Sequence, residues 1–98
     1  MTNLDPVRQE SESVWNFTPN ASPSTPPGVQ TLDVPGFGGL TQFRVHSEGP
    51  EDVQITVQDR PGLQFTLKRS QTQEIWGNQI RLSLLETSAA FGTVLKKR

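Results

Sequence analysis

The sequence contains no cysteine, which excludes disulfides and every zinc site built on thiolates. It contains one histidine, His46, placed at the end of a predicted strand on the polar-facing phase. A nucleophilic triad would have only this base, and no pattern selects a serine or an aspartate to accompany it. A surface histidine and a non-catalytic protein are the expectation. Hydrophobic residues make up only 32% of the 98 residues, and part of the shortfall lies in the N-terminal quarter. No apolar run approaches the ~20 residues that span a bilayer. No hydrophobic stretch of signal-peptide type occurs in residues 1–28, so secretion is not expected. Asn16-Phe17-Thr18 and Asn20-Ala21-Ser22 fit the glycosylation pattern and are read as chance matches.

Charge of one sign is lacking too. The formal net charge is -1, which argues against electrostatic capture by nucleic acid or an anionic membrane. Lys96, Lys97 and Arg98 form the only basic cluster, read as a solvated tail.

The chain divides into an arm and a body. Residues 1–28 are rich in Ser, Thr, Asn and Pro, with prolines at 6, 19, 23, 26 and 27. Proline removes amide donors and restricts its neighbours, so this segment is expected to supply neither a sheet interior nor a long helix. Asp5-Pro6 suits the start of a short helix running to about Ser13. Trp15 and Phe17, spaced by two, would turn both rings to the same side of an extended chain. Aromatics stranded in a polar segment suit interface anchors, so the arm is expected to pack on its own body or on a neighbour.

From Val29 the pattern acquires period two, the mark of strands with one buried face. Leu32/Val34, Phe43/Val45, Val53/Ile55/Val57, Leu63/Phe65/Leu67 and Ile80/Leu82/Leu84 alternate with polar residues, and Phe91/Thr93/Leu95 continue the series. Between them lie residues of turn type. Pro35 to Gly39 and Ser47-Glu48-Gly49-Pro50 are expected outside strands, Arg60-Pro61-Gly62-Leu63 suits a type II turn, and Gly77-Asn78 suits a two-residue hairpin. The expected fold is all-β: an antiparallel sandwich or small barrel of about six or seven strands over residues 29–98, preceded by the extended arm.

Individual sites are sparse. Glu48, Glu51 and Asp52 crowd one loop without the ligand spacing of an EF-hand, and a solvated acidic turn is expected. Gly36, Gly38 and Gly39 fail the dinucleotide pattern, since Thr41 stands where the third glycine belongs. Phe37, carried between glycines, either folds back over the end of the sandwich or enters a partner's pocket. The expected partner-binding residues are therefore Trp15, Phe17 and Phe37. No cofactor and no metal is expected. Outward strand positions (Gln42, Arg44, Gln54, Thr56, Gln58, Gln64, Thr66, Gln79, Arg81, Ser83) carry little lysine, which suits an interface as well as a solvent face. Trp76 beside Gly77-Asn78-Gln79 could form a sugar platform, although a tryptophan packed under a hairpin is the expectation.

The Pro/Ser/Thr-rich arm with Trp15 and Phe17, the cysteine-free β body and the closing Ser88–Val94 segment together resemble the small decoration, or cement, proteins of tailed bacteriophage heads. The resemblance is architectural and carries no motif. It implies a virion structural protein on the capsid surface that stabilises the head by binding across subunit junctions. Its partners would be the major capsid protein and copies of itself, as a trimer or dimer. A carbohydrate-binding module, a tail or connector subunit, or a cytoplasmic regulatory domain would share the same outline.

Overall fold

The computed structural model describes residues 10–98, and the helix anticipated from Asp5-Pro6 begins outside them. The described residues form eight strands and no helix, so none of them provides a membrane-spanning helix. The strands are β1 (Glu10–Phe17), β2 (Val29–Pro35), β3 (Thr41–Pro50), β4 (Val53–Val57), β5 (Arg60–Leu67), β6 (Thr72–Gly77), β7 (Gln79–Leu85) and β8 (Ala90–Lys97). They make two four-stranded sheets in the orders β1-β8-β3-β6 and β2-β7-β4-β5. Every ladder is antiparallel. The first strand pairs with the eighth, the second with the seventh, the third with the sixth and the fourth with the fifth. A long ribbon of paired strands has thus been rolled until β8 meets β3 and β7 meets β4, which is the winding of a jelly roll.

The inner faces meet in one core. Phe43, Val45, Val53, Ile55, Val57, Ile80 and Leu82 are wholly buried, and each comes from an alternating run visible in the sequence. None of the ten outward polar positions from Gln42 to Ser83 is buried.

Several local expectations are overturned. The N-terminal division at residue 28 is the first. Glu10–Phe17 is not an arm but an edge strand paired along its whole length with β8. Trp15 and Phe17, expected as partner anchors, are 3% and 5% exposed and lie within the core, their ring centroids 5.9 Å apart. Burial of two large rings outweighs the polar composition around them. The second correction follows from the first. Phe91, Thr93 and Leu95 point outward, while Ala90, Gly92 and Val94 face the core. The small inward residues of β8 leave the space that the β1 aromatics fill.

The third concerns turn residues. Ser47 to Pro50 lie within β3, where a bulge at Ser47/Gly49 absorbs the positive φ of Gly49, 79°. Pro61 and Gly62 lie in β5, an edge strand with its own register shift, and edges tolerate proline. The tight β4–β5 turn falls three residues earlier, at Gln58–Asp59. Fourth, Asn78 joins no hairpin: it carries the chain from β6 in one sheet to β7 in the other.

Residues 18–28 cross between the sheets and are fastened to Glu86. The Asn20 amide donates to the Glu86 carbonyl at 2.8 Å, and the Glu86 amide donates to the Gly28 carbonyl at 3.0 Å. The Glu86 carboxylate accepts from the Ser24 amide and hydroxyl. A single residue thus fixes much of the longest connection.

Candidate binding surface

Among the described residues every buried side-chain nitrogen and oxygen has a hydrogen-bond partner. The features left to explain lie on the outer faces of the two sheets.

The outer face of β2-β7-β4-β5 carries Thr31, Gln54, Thr56, Gln64, Thr66 and Ser83, with one ion pair. Arg81 Nε donates to Asp33 Oδ1 at 2.6 Å. That hydrogen bond, helped by the guanidinium charge and opposed by desolvation, holds the Asp33 carboxyl below its ordinary value. At one end, Val29, Leu85, Glu51, Asp52 and Gln54 border an open concavity of about 530 Å³. Glu51 and Asp52 remain exposed, and among the described residues no three His, Asp or Glu side chains converge as a metal site.

The outer face of β1-β8-β3-β6 combines aromatic and charged groups. The registers align its side chains in rows: Glu10, Lys97, Gln42 and Trp76; Glu12, Leu95, Arg44 and Glu74; Val14, Thr93, His46 and Thr72; then Asn16 and Phe91. Arg44 Nη2 donates to Glu74 Oε1 at 3.0 Å, and Gln42 Nε2 to Glu74 Oε2 at 3.0 Å. His46 bridges the Thr72 hydroxyl through Nδ1 at 2.8 Å and the Glu48 carboxylate through Nε2 at 2.6 Å. This is a hydroxyl, imidazole and carboxylate in a line, but no serine takes part, and Thr72 sits at the Nδ1 side. His46 is the half-exposed surface residue that its strand phase suggested.

Two apolar features interrupt this polar lattice. Val14 is 81% exposed and Phe91 is 52% exposed. With Trp15, Asn16, Glu48, Gly92 and Thr93 they line a concavity of about 510 Å³ over the β1–β8 ladder. Trp76, 50% exposed, stands at the opposite edge of the sheet rather than under a hairpin. Sequence patterning missed Val14 and Phe91 for one reason. With β1 assigned to an arm, nothing revealed that Gly92 and Ala90 were the inward residues of β8.

Phe37, the third expected anchor, is half-buried in the β2–β3 loop. Its amide donates to Thr41 Oγ1 at 3.0 Å, and that hydroxyl donates to the Gly39 carbonyl at 3.0 Å. Lys96 Nζ lies 5.1 Å from the Phe37 ring centroid and donates to the Pro35 carbonyl. The Phe37 ring therefore lies beside the ammonium of a β8 side chain, within cation–π reach. The structure therefore does not bring Trp15, Phe17 and Phe37 together as one surface.

Compared with known protein families, characterised proteins and solved structures, the chain matches none.

Proposed function

We propose that this chain is a non-catalytic structural subunit that binds another protein, and specifically a small decoration protein of a phage capsid. The observation that carries the proposal is the Val14–Phe91 concavity. Two large apolar side chains lie in solvent on adjacent strands, where folding gains nothing from them. Covering each is worth roughly 1.5–3 kcal/mol to an interface. The patch borders β1, an edge strand whose stretch from Ser13 to Phe17 has neither charge nor proline to discourage pairing. A partner can thus combine apolar contact with main-chain hydrogen bonds. Jelly rolls serve in viral capsids among other settings, so the strand order favours this setting by analogy of fold alone.

In that role the protein binds the assembled shell and not its free subunits, and so stabilises the shell by mass action. Repetition over many copies makes the attachment multivalent. The partner is the major capsid protein, and copies of this chain meet at the same junction. The test is co-sedimentation with particles from cells that express the gene. Wild type should travel with particles, and the Val14→Ser/Phe91→Ser double variant should stay in the supernatant with an unchanged melting temperature. Wild type absent from particles would overturn the capsid role; a double variant that still sediments would overturn the patch.

A further inference from the structure

Trp76 stands apart from the Val14–Phe91 patch and has a different neighbourhood. It projects from edge strand β6 on the outer face, in register with Gln42 of β3. Two residues along, Glu74 opposes Arg44, and its two carboxylate oxygens accept one hydrogen bond each from Gln42 and Arg44. An exposed indole therefore lies beside an amide, a carboxylate and a guanidinium already locked to one another.

We propose that this strip of β3 and β6 binds a carbohydrate chain. A pyranose has one C–H face, which packs on the electron-rich face of an indole. Its rim carries neighbouring hydroxyls, each both donor and acceptor. Planar groups with paired hydrogen-bonding atoms match such a rim: a carboxylate offers two acceptors, a guanidinium a fork of donors, and an amide one of each kind. The mutual hydrogen bonds hold Gln42, Glu74 and Arg44 in place before binding, which lowers the ordering cost. The same strip continues through His46 and Thr72, two residues further along each strand. From Trp76 to Thr72 is about 13 Å at the ordinary strand rise, so the strip accommodates more than one sugar ring.

Other occupants fit less well. A protein contact centred on Trp76 would remove Glu74 and Arg44 from water, and burying an ion pair returns little. A sugar leaves both hydrogen-bonded. A nucleic acid would need several free cationic groups, whereas Arg44 is already paired with Glu74 and the Trp76–Gln42 row adds a single lysine, Lys97.

The inference is independent of the protein-binding role, because Trp76 lies on β6 and the Val14–Phe91 patch on β1 and β8. The test is native affinity electrophoresis of the whole chain through gels containing xylan, barley β-glucan, laminarin, galactomannan or starch. Pull-down on insoluble cellulose and chitin completes the panel. At least one polysaccharide should retard the wild type, and Trp76→Ala should weaken that affinity about tenfold or more, the loss expected for an anchoring tryptophan. Trp76→Phe should keep part of it, and Val14→Ser/Phe91→Ser should keep all of it. Wild type binding no member of the panel would overturn the inference. So would equal retardation of Trp76→Ala. A self-association in sugar-free buffer that Trp76→Ala abolishes would assign the strip to protein contact instead.

Discussion

Trp15 and Gly92 are cross-strand partners, and the missing side chain of Gly92 is what admits the indole to the core. A Cβ at position 92 would lie 2.8 Å from Trp15 Cζ2 and would collide with the His46 carbonyl. The indole Nε1 donates to the Thr93 carbonyl at 3.1 Å, so its polar atom is satisfied at the rim of the core. This pair ties the N-terminal strand to the centre of the sandwich.

Gly92→Ala should therefore be costly for so small a change. The backbone of β3 cannot yield as a flexible side chain would, and overpacking of this kind costs about 1–3 kcal/mol or more. Urea denaturation should show a lower midpoint with an unchanged slope. An unaltered midpoint would mean that the β8–β3 ladder is looser here than the structure shows.

The N-terminal strand should be essential to stability. Trp15→Ala or Phe17→Ala should each cost about 3–5 kcal/mol, the range for large aromatics removed from a core. Deletion of residues 1–28 should abolish cooperative thermal unfolding, whereas deletion of residues 1–9 alone should leave the β1 pairing intact. A cooperative transition in the chain lacking residues 1–28 would return Glu10–Phe17 to the status of an arm.

The two tryptophans should be separable by fluorescence. Trp15 is buried and Trp76 half-exposed, so acrylamide should quench only part of the wild-type emission strongly. Trp76→Phe should leave a blue-shifted, weakly quenched signal, while melting close to wild type. Strong quenching of that variant would contradict the burial of Trp15.

Acid should loosen the long connection through Glu86. Desolvation pushes its carboxyl up, but hydrogen bonds from the Ser24 and Gly28 amides and from the Ser24 and Asn20 side chains outweigh it, and its pKa is lowered. A group depressed on folding stabilises the fold above its unfolded value, about 4.3 for glutamate, and that stabilisation is lost as pH falls through the folded value. Between about pH 5 and 3 the wild-type melting temperature should fall more steeply than that of Glu86→Gln. Parallel profiles would show that the loop is held by the Glu86 backbone alone.

The parts of the fold legible in the sequence were those whose strands bury aliphatic residues at every second position. β4, with Val53, Ile55 and Val57, and β7, with Ile80, Leu82 and Leu84, needed no tertiary information. β1 was hidden because only Trp15 and Phe17 of its inward positions are large; Ser11 and Ser13 precede them. The phase of β8 depends on β1, since Ala90 and Gly92 look like poor core residues until Phe17 and Trp15 are set opposite them. β6 has one large inward residue, Ile75, and so lacked a visible alternation. The surface features follow the same logic. Val14 and Phe91 stand out only after the strands have been placed and their faces assigned, whereas Trp76 was visible in the sequence and the structure adds its exposure.

The proposal that the β1–β8 surface receives a protein partner is tested most directly by hydrogen–deuterium exchange of the full chain, free and bound to purified particles. Amides in residues 10–17 and 90–97 should gain protection on binding, while β5, residues 60–67 at the far edge of the other sheet, should exchange as in the free protein. Protection confined to β5, or exchange unchanged throughout both β1 and β8, would contradict it.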